Sequence, residues 1–335
     1  MKQYVLGVES TAHTFSVSVV SAEGEILSNA KSVYKPAAGS GIHPFEASQS
    51  HFRNAGRVLA DAVEESGVVP RQLAAVCYSM GPGLGPCLRV GAVVARTLAS
   101  TLDKPLVPVN HAVGHIELGC LLTGAKDPVV LLVSGGHTMV IAYSAGRWRV
   151  LGESLDLTLG QLLDQFGRHL GLSSPCGAAI ETAASNSSIY HRLPYSVKGN
   201  DVSFSGLLTA AKNMTDSGES FESVSFSIQE TAFAMVVEVT ERALAFTGKR
   251  EVLVVGGVAA NARLSDMMTK MAVRHSASVS LTPIQYSGDC GAQIAWTGLL
   301  AHGMGIQVPV REANVRQSWR LDTVDIPWRN YESSG

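Results

Sequence analysis

Two segments of this chain, 124 residues apart, follow one plan. Ser10-x-x-His13-Thr14 falls on Ser134-x-x-His137-Thr138. In the first segment "YVLGVE" and "TFSVSVV" read as strands, and "SAEG" turns into a third strand, "EILSNA". In the second, "VVLLVS" passes through Gly135-Gly136-His137 into "TMVIAY", and "SAGR" turns into "WRVLGE". Agreement of three residues arises easily by chance; agreement of a whole strand-turn-strand-turn-strand series does so much less. Duplicated β-meanders, each opening one lobe, predict two similar lobes facing a cleft, and 335 residues suffice for both.

Between and after the meanders the pattern alternates. The sequence predicts a helix over roughly 46–66, a strand over 74–80, a turn "GPGLGP", a helix over 87–102 and a short strand over 105–109. Further on come helical spacing over 157–172, a long helix over about 221–247, and a strand, glycine turn and helix over 251–273. A last helix lies in "SGDCGAQIAWTGLLAHGM". Strands alternating with helices imply α/β lobes. With "LTGAKDP" (122–128) as the natural break, the expected units are an N-terminal lobe (1–125), a C-terminal lobe (126–300) and a tail (301–335) that packs back on the first lobe.

Composition narrows the function classes. Formal net charge is −2, whereas a dominant nucleic-acid surface shows as a basic excess, so bulk charge does not hold a polyanion here. Arg311, Arg316, Arg320 and Arg329 form either a local basic patch or a solvated tail. Five cysteines without framework spacing fit reduced thiols. The N-terminus enters a strand pattern at once, and the apolar run 129–133 is too short to span a bilayer. A cytoplasmic protein with no membrane association is expected.

Four features carry chemistry. The Ser134-Gly135-Gly136 break serves a hairpin, or it leaves backbone N–H groups bare for an anion. In "NHAVGH" (110–115), His111 and His115 stand four apart, so one helix face carries both imidazoles. They can share a metal with a third ligand from elsewhere, or rest as hydrogen-bonded histidines at a lobe interface. A His-Glu-x-x-His zinc protease would need its glutamate base where Ala112 stands; Glu117 lies beyond the pair. "VVGGVAANARL" (254–264) puts Gly256-Gly257 between strand and helix, suited to a phosphate or ribose or to a plain tight turn. Among Asp156, Asp164 and Asp289, most such positions cap helices, and Asp289 in "SGDCGAQIA" is the first candidate ligand.

Together "GVESTAHT", "NHAVGHIE", "LLVSGGHT", "LPYSVKGNDVSFSGLLTAAK", "FSIQETAFAMVVEVTERAL" and "GGVAANARL" resemble the universal tRNA N6-adenosine threonylcarbamoyltransferase family. Its bacterial members are called TsaD, and its archaeal and eukaryotic members are the catalytic subunits of the KEOPS complex. The likeness runs from about Val5 to Trp328 and is strongest toward the archaeal type. It implies an actin/Hsp70/sugar-kinase-like (ASKHA) α/β fold with duplicated lobes around a nucleotide cleft. It implies transfer of threonylcarbamoyl from threonylcarbamoyl-AMP to N6 of the adenosine 3′ of the anticodon in tRNAs reading ANN codons, with ATP, ADP or AMP able to occupy the same cleft. Carried over by position, His111, His115 and Asp289 would hold one divalent metal (Fe or Zn, or Mg). Leu132, Val133, Ser134, Gly135 and Gly136 would line the phosphate loop; Asp164, Gly177, Glu181 and Asn261 would meet ribose and base. Leu132 stands where the archaeal type usually has a tyrosine that joins the metal shell, and His137 where many KEOPS subunits have asparagine. Implied partners are tRNA, a small kinase-like ATPase subunit and small accessory subunits, with the helices near 46–66 and 87–102 as docking faces. An ASKHA-fold small-molecule kinase or ATPase and a zinc metallopeptidase are the rival readings.

Overall fold

The computed structural model describes residues 3–37 and 39–331. The first lobe is built from β1 (Tyr4–Glu9), β2 (Thr14–Ser21), β3 (Ile26–Val33), α1 (Pro44–Ser66), β4 (Leu73–Gly81), α2 (Gly85–Leu102), β5 (Leu106–Asn110) and α3 (His111–Thr123). Then come β6 (Val129–Val133), β7 (Thr138–Ser144), β8 (Arg147–Glu153), α4 (Leu159–His169), α5 (Gly177–Ser185), the small hairpin β9 (Val197–Lys198) and β10 (Asp201–Val202), α6 (Ser205–Asp216) and α7 (Phe221–Thr247). The series closes with β11 (Glu251–Val255), α8 (Ala262–Arg274), β12 (Ser278–Leu281), α9 (Ile284–Ser287), α10 (Gly291–Gly303) and α11 (Pro327–Tyr331).

The duplicated plan becomes two five-stranded sheets of equivalent order, β3-β2-β1-β4-β5 and β8-β7-β6-β11-β12. In each, three antiparallel strands form a meander, and two parallel strands continue from its first strand. The two Ser-x-x-His links are thereby equivalent, each joining the first strand of a meander to the second.

Both sheets are buried on both faces, and the period-2 alternation of strand side chains shows how. In β6, Val129, Leu131 and Val133 pack toward α4–α8, while Val130 and Leu132 pack on the opposite side with Ala112, Val113 and Ile116 of α3. In the first sheet, Leu6, Val8, Val76 and Tyr78 face α1 and α2, while Val5, Ala75 and Cys77 face α10. A helix apolar on all sides must be buried. Accordingly α3 ("HAVGHIELGCLLT") runs between the sheets, packed on α10 on one side and on β6 and β11 on the other.

Packing departs from the expected units at α10. It follows the second sheet in sequence yet lies on β1, β2, β4 and β5 of the first, so a boundary at residue 300 does not follow the layers. Small residues permit the approach: a Cβ on Gly7 would overlap the backbone of α10 at Gly291 and Ala295. The segment read as a tail returning to the first lobe runs along both lobes. Val308 pairs with Leu106, Arg316 N–H donates to the Met80 carbonyl (2.7 Å), and Ile326 N–H donates to the Gly146 carbonyl (2.9 Å). The terminal residues 332–335 lie outside the described residues. Among the described residues no helix is long and apolar enough to cross a membrane.

Candidate active site

The helix carrying the histidines begins at a fixed point. Asn110 ends β5, and its Oδ1 accepts from the N–H groups of Ala112 (3.0 Å) and Val113 (3.2 Å), a cap worth about 1 kcal/mol. His111 and His115 follow on one face, both almost wholly buried, with ring centroids 4.7 Å apart. Across the cleft Asp289, just before α10, completes the group. Its Oδ1 lies 3.6 Å from His111 Nε2 and 3.3 Å from His115 Nε2. One ligand atom from each of the three lies within 4.8 Å of the others.

Glu9, at the end of β1, carries no signal in the sequence that would single it out. It is wholly buried. Its Oε2 accepts from His111 Nδ1 (2.9 Å) and its Oε1 from Thr11 N–H (2.6 Å). This carboxylate fixes the His111 tautomer, so that Nε2 is the free atom facing Asp289. Burial pulls the His111 pKa down, but the Glu9 and Asp289 carboxylates outweigh it and raise it to about 9. Burial holds His115 below its ordinary value. Burial also pushes Asp289 up, yet the two imidazoles hold it well below the usual carboxylate range.

The donor set fits a divalent cation by charge as well as by geometry. Binding a cation would displace the His111 proton, and the two carboxylates, Glu9 and Asp289, would then supply a charge of about −2, which a doubly charged ion cancels. Glu9→Gln keeps the shape and removes the charge that orients His111. Cation affinity is expected to fall about 10- to 100-fold, with Kd measured by calorimetric titration; an unchanged Kd would count against the orienting role.

The glycine turn adjoins this group. Ser134 Oγ accepts from the N–H groups of Gly136 (3.2 Å) and His137 (3.0 Å), and the Gly135 carbonyl accepts from Thr158 Oγ1 (3.0 Å) at the start of α4. No atom lies within 4 Å of where a Cβ would stand on Gly135, and only Ser134 Oγ comes that near at Gly136, so the space over this turn is open. His137 then packs its ring on His111, centroids 6.0 Å apart. Burial, with His111 and His115 adding to it, pulls the His137 pKa down to about 3, so the ring is neutral. Its Nδ1 and that of the repeat-equivalent His13 are buried and meet no partner among the described residues. His51 on α1 holds the other link in place, its Nε2 3.0 Å from the Ala12 carbonyl.

Other candidate residues divide by location. Gly256 has φ +96°, and a Cβ there would overlap the Val133 carbonyl, so only glycine brings the β11 loop against the end of β6. Asn261 caps α8 through Arg263 and Leu264 N–H and donates from Nδ2 to Gln229 Oε1 (2.9 Å). Glu181 Oε1 accepts from Ala262 N–H (2.8 Å), which brings α5 and the α8 start together; Gly177, one turn before it, faces open space.

Leu132, Val133 and Asp164 are engaged within the fold. Leu132 and Val133 are fully buried on opposite faces of β6, which is covered on both sides, and Leu132 packs in one cluster with Ala112 and Val113 of the histidine helix. Leu132 therefore supplies an apolar contact at the position where the archaeal type usually has a tyrosine. Asp164 has both oxygens engaged, Oδ1 by Ser174 Oγ (2.6 Å) and Cys176 N–H (3.2 Å), Oδ2 by Arg168 Nε (3.0 Å). It braces the loop that leads into α5. Asp156 accepts from Phe204 and Ser205 N–H and so caps α6 from a distance.

Known proteins share this sequence and fold. Residues 25–296 match the family model TsaD, tRNA N6-adenosine threonylcarbamoyltransferase. A protein of Caldivirga maquilingensis named tRNA N6-adenosine threonylcarbamoyltransferase is 49% identical over 324 residues, covering 97% of this chain and 98% of that one. A Methanothermobacter thermautotrophicus protein named probable bifunctional tRNA threonylcarbamoyladenosine biosynthesis protein is 49% identical over 98% of this chain, which spans 62% of it. Among solved structures, HypF of T. kodakarensis superposes with a TM-score of 0.64 at 13% identity, covering 91% of this chain and 48% of that one, a likeness of fold. That fold is the actin/sugar-kinase-like one. The chain belongs to the tRNA N6-adenosine threonylcarbamoyltransferase family and is a transferase that modifies tRNA.

Proposed function

We propose that the cleft takes threonylcarbamoyl-AMP and presents its carbamoyl carbon to N6 of the adenosine 3′ of the anticodon in tRNAs reading ANN codons. One observation carries this reading: His137, the residue after Gly136, packs on His111, so the open glycine turn and the histidine–aspartate group share one pocket. In the transfer, the N6 lone pair forms a bond to the carbamoyl carbon, the bond from that carbon to the phosphate oxygen breaks, and AMP leaves with the electron pair. The N6 proton passes to solvent. AMP is a good leaving group, so little acid–base help is needed and positioning carries most of the rate.

The roles of individual residues follow. The open turn at Ser134–Gly136 receives the phosphate, with Gly135 N–H as donor, and Asp164, Gly177, Glu181 and Asn261 meet the nucleoside. His111, His115 and Asp289 hold one divalent ion, Fe, Zn or Mg, which when bound supplies Lewis-acid charge at the carbamoyl and threonyl oxygens. Glu9 keeps His111 aimed and His137 remains a neutral wall of the pocket.

The chain acts in the cytoplasm with tRNA, a small kinase-like ATPase subunit and small accessory subunits of a KEOPS-type complex. Exposed Phe45 and Phe52, two turns apart on α1, and Val93 on α2 support docking of an accessory subunit there. The peptidase alternative loses Glu117 as a candidate base. Glu117 is held by Arg329 Nε (2.9 Å) and Nη2 (3.0 Å) and by Trp148 Nε1 (2.9 Å), away from the pocket's histidines in its bonding.

Incubating the protein and its partner subunits with threonylcarbamoyl-AMP and tRNA is expected to yield modified adenosine and AMP in equal amounts. Steady ATP hydrolysis without tRNA, and no modified nucleoside, would instead make it a kinase or ATPase of this fold.

A further inference from the structure

The segment Val315–Arg320 is sewn to the end of β4, to the loop after it and to the residue that caps the histidine helix. Arg316 N–H donates to the Met80 carbonyl (2.7 Å), and Gly83 N–H to the Gln317 carbonyl (3.1 Å). Asn110, whose side chain caps the helix of His111, donates from Nδ2 to the Trp319 carbonyl (3.1 Å). In the same loop Leu84 N–H donates to the Thr11 carbonyl (2.7 Å), and Thr11 Oγ1 lies 3.3 Å from His111 Nδ1. The backbone of the segment is thus fixed while the side chains of Arg316, Gln317 and Ser318 remain exposed.

Charge distinguishes Arg316 from its neighbours. Arg311 pairs with Glu312, Arg320 with Asp322 and Glu153, and Arg329 with Glu117. Arg316 has no carboxylate partner among the described residues. Its guanidinium lies over the Trp319 ring, 5.5 Å from the centroid. The nearby acids Glu312, Asp322 and Glu153 are already neutralised.

We infer that Val315–Arg320 is the contact strip for the single-stranded loop of the RNA substrate: Arg316, backed by Trp319, stacks against an unpaired base and meets the phosphate beside it. A guanidinium plane resting on an indole suits an unstacked base, which presents a π-face whatever its sequence. The charge of Arg316, unpaired among the described residues, suits a phosphate, although the chain as a whole is slightly acidic. A base held there lies beside the element that starts the histidine helix. The inference rests on the tRNA-modifying activity but not on which residues bind the adenylate.

The test is anisotropy of the full chain with an anticodon stem-loop RNA over a series of salt concentrations, without adenylate. Arg316→Gln is expected to weaken binding about tenfold and to make the slope of log affinity against log salt shallower by about 0.7–0.9 for each phosphate left without its cation. Trp319→Leu should weaken the stem-loop complex about fivefold or more while leaving an uninterrupted duplex of equal length unaffected. Cation content and the folded fraction at the assay temperature serve as controls and should not move, the melting temperature of Trp319→Leu falling because Trp319 also packs on the first-lobe core. Affinities within about twofold of the parent for both variants, or no salt-dependent binding by the parent, would overturn the inference. Failure of adenylate transfer with the RNA results intact would count against the proposed chemistry alone.

Discussion

His115→Gln is expected to lose its bound cation and to slow threonylcarbamoyl transfer by about 10³-fold or more, while the melting temperature changes little. His115 Nε2 faces Asp289 Oδ1 at 3.3 Å, and glutamine fills much of the same volume with a neutral polar end. The lost electrostatic stabilisation is several kcal/mol, and each 1.36 kcal/mol is tenfold in rate. Cation content after dialysis and single-turnover transfer measure the two effects separately. Full transfer by a cation-free variant would end the metal reading. His111→Ala is a less clean probe, because it strips the wholly buried Glu9 of its ionic partner and so disturbs folding as well as binding.

Arg329→Met is expected to destabilise the protein by about 3–5 kcal/mol. Arg329 comes from the final helix, yet its guanidinium makes a two-pronged pair with the buried Glu117 of α3 and lies 4.5 Å from the centroid of the Trp148 ring on β8. A third hydrogen bond runs from Nη1 to the Lys126 carbonyl (3.1 Å). Burial lowers the arginine's pKa, but Glu117 more than reverses this, and the guanidinium stays charged. Methionine replaces the aliphatic stem and leaves Glu117 as an uncompensated buried charge. The paired change Glu117→Gln with Arg329→Met should recover most of the loss, since glutamine still accepts from Trp148 Nε1. Urea unfolding of the four proteins in this cycle gives the coupling directly. Additive losses would show that the pair is not what ties the C-terminal segment down.

Much of this molecule is legible in the sequence because local pattern decides it. The meanders repeat in residue type as well as in period. The long helix α7 has the bounds its spacing predicts, 221–247. His111 and His115 announce themselves by a four-residue step that stacks them, and Asp289 by glycine neighbours ahead of a helix. Short elements made of small residues signal more weakly: α5 ("GAAIETAAS") has little apolar periodicity, and the sequence pattern does not reveal it.

Tertiary structure decided what depends on burial. Glu9 sits among alternating strand residues, and nothing in its spacing marks it; it gains a role only because the fold buries it beside His111. Leu132 and Val133 adjoin the glycine turn in sequence, yet a strand covered on both faces keeps their side chains in the core. Asp164 reads in the sequence only as an acid on a helix, and the fold gives its carboxylate three donors from its own neighbourhood. α10 is recognisable as a helix from its sequence, but which sheet it covers depends on the close approach at Gly7. Arg329 reads as one cation of a basic tail, whereas folding makes it the counter-charge of Glu117, 212 residues away. Periodicity along a chain encodes local geometry, and a charge acquires its meaning only from what excludes water around it.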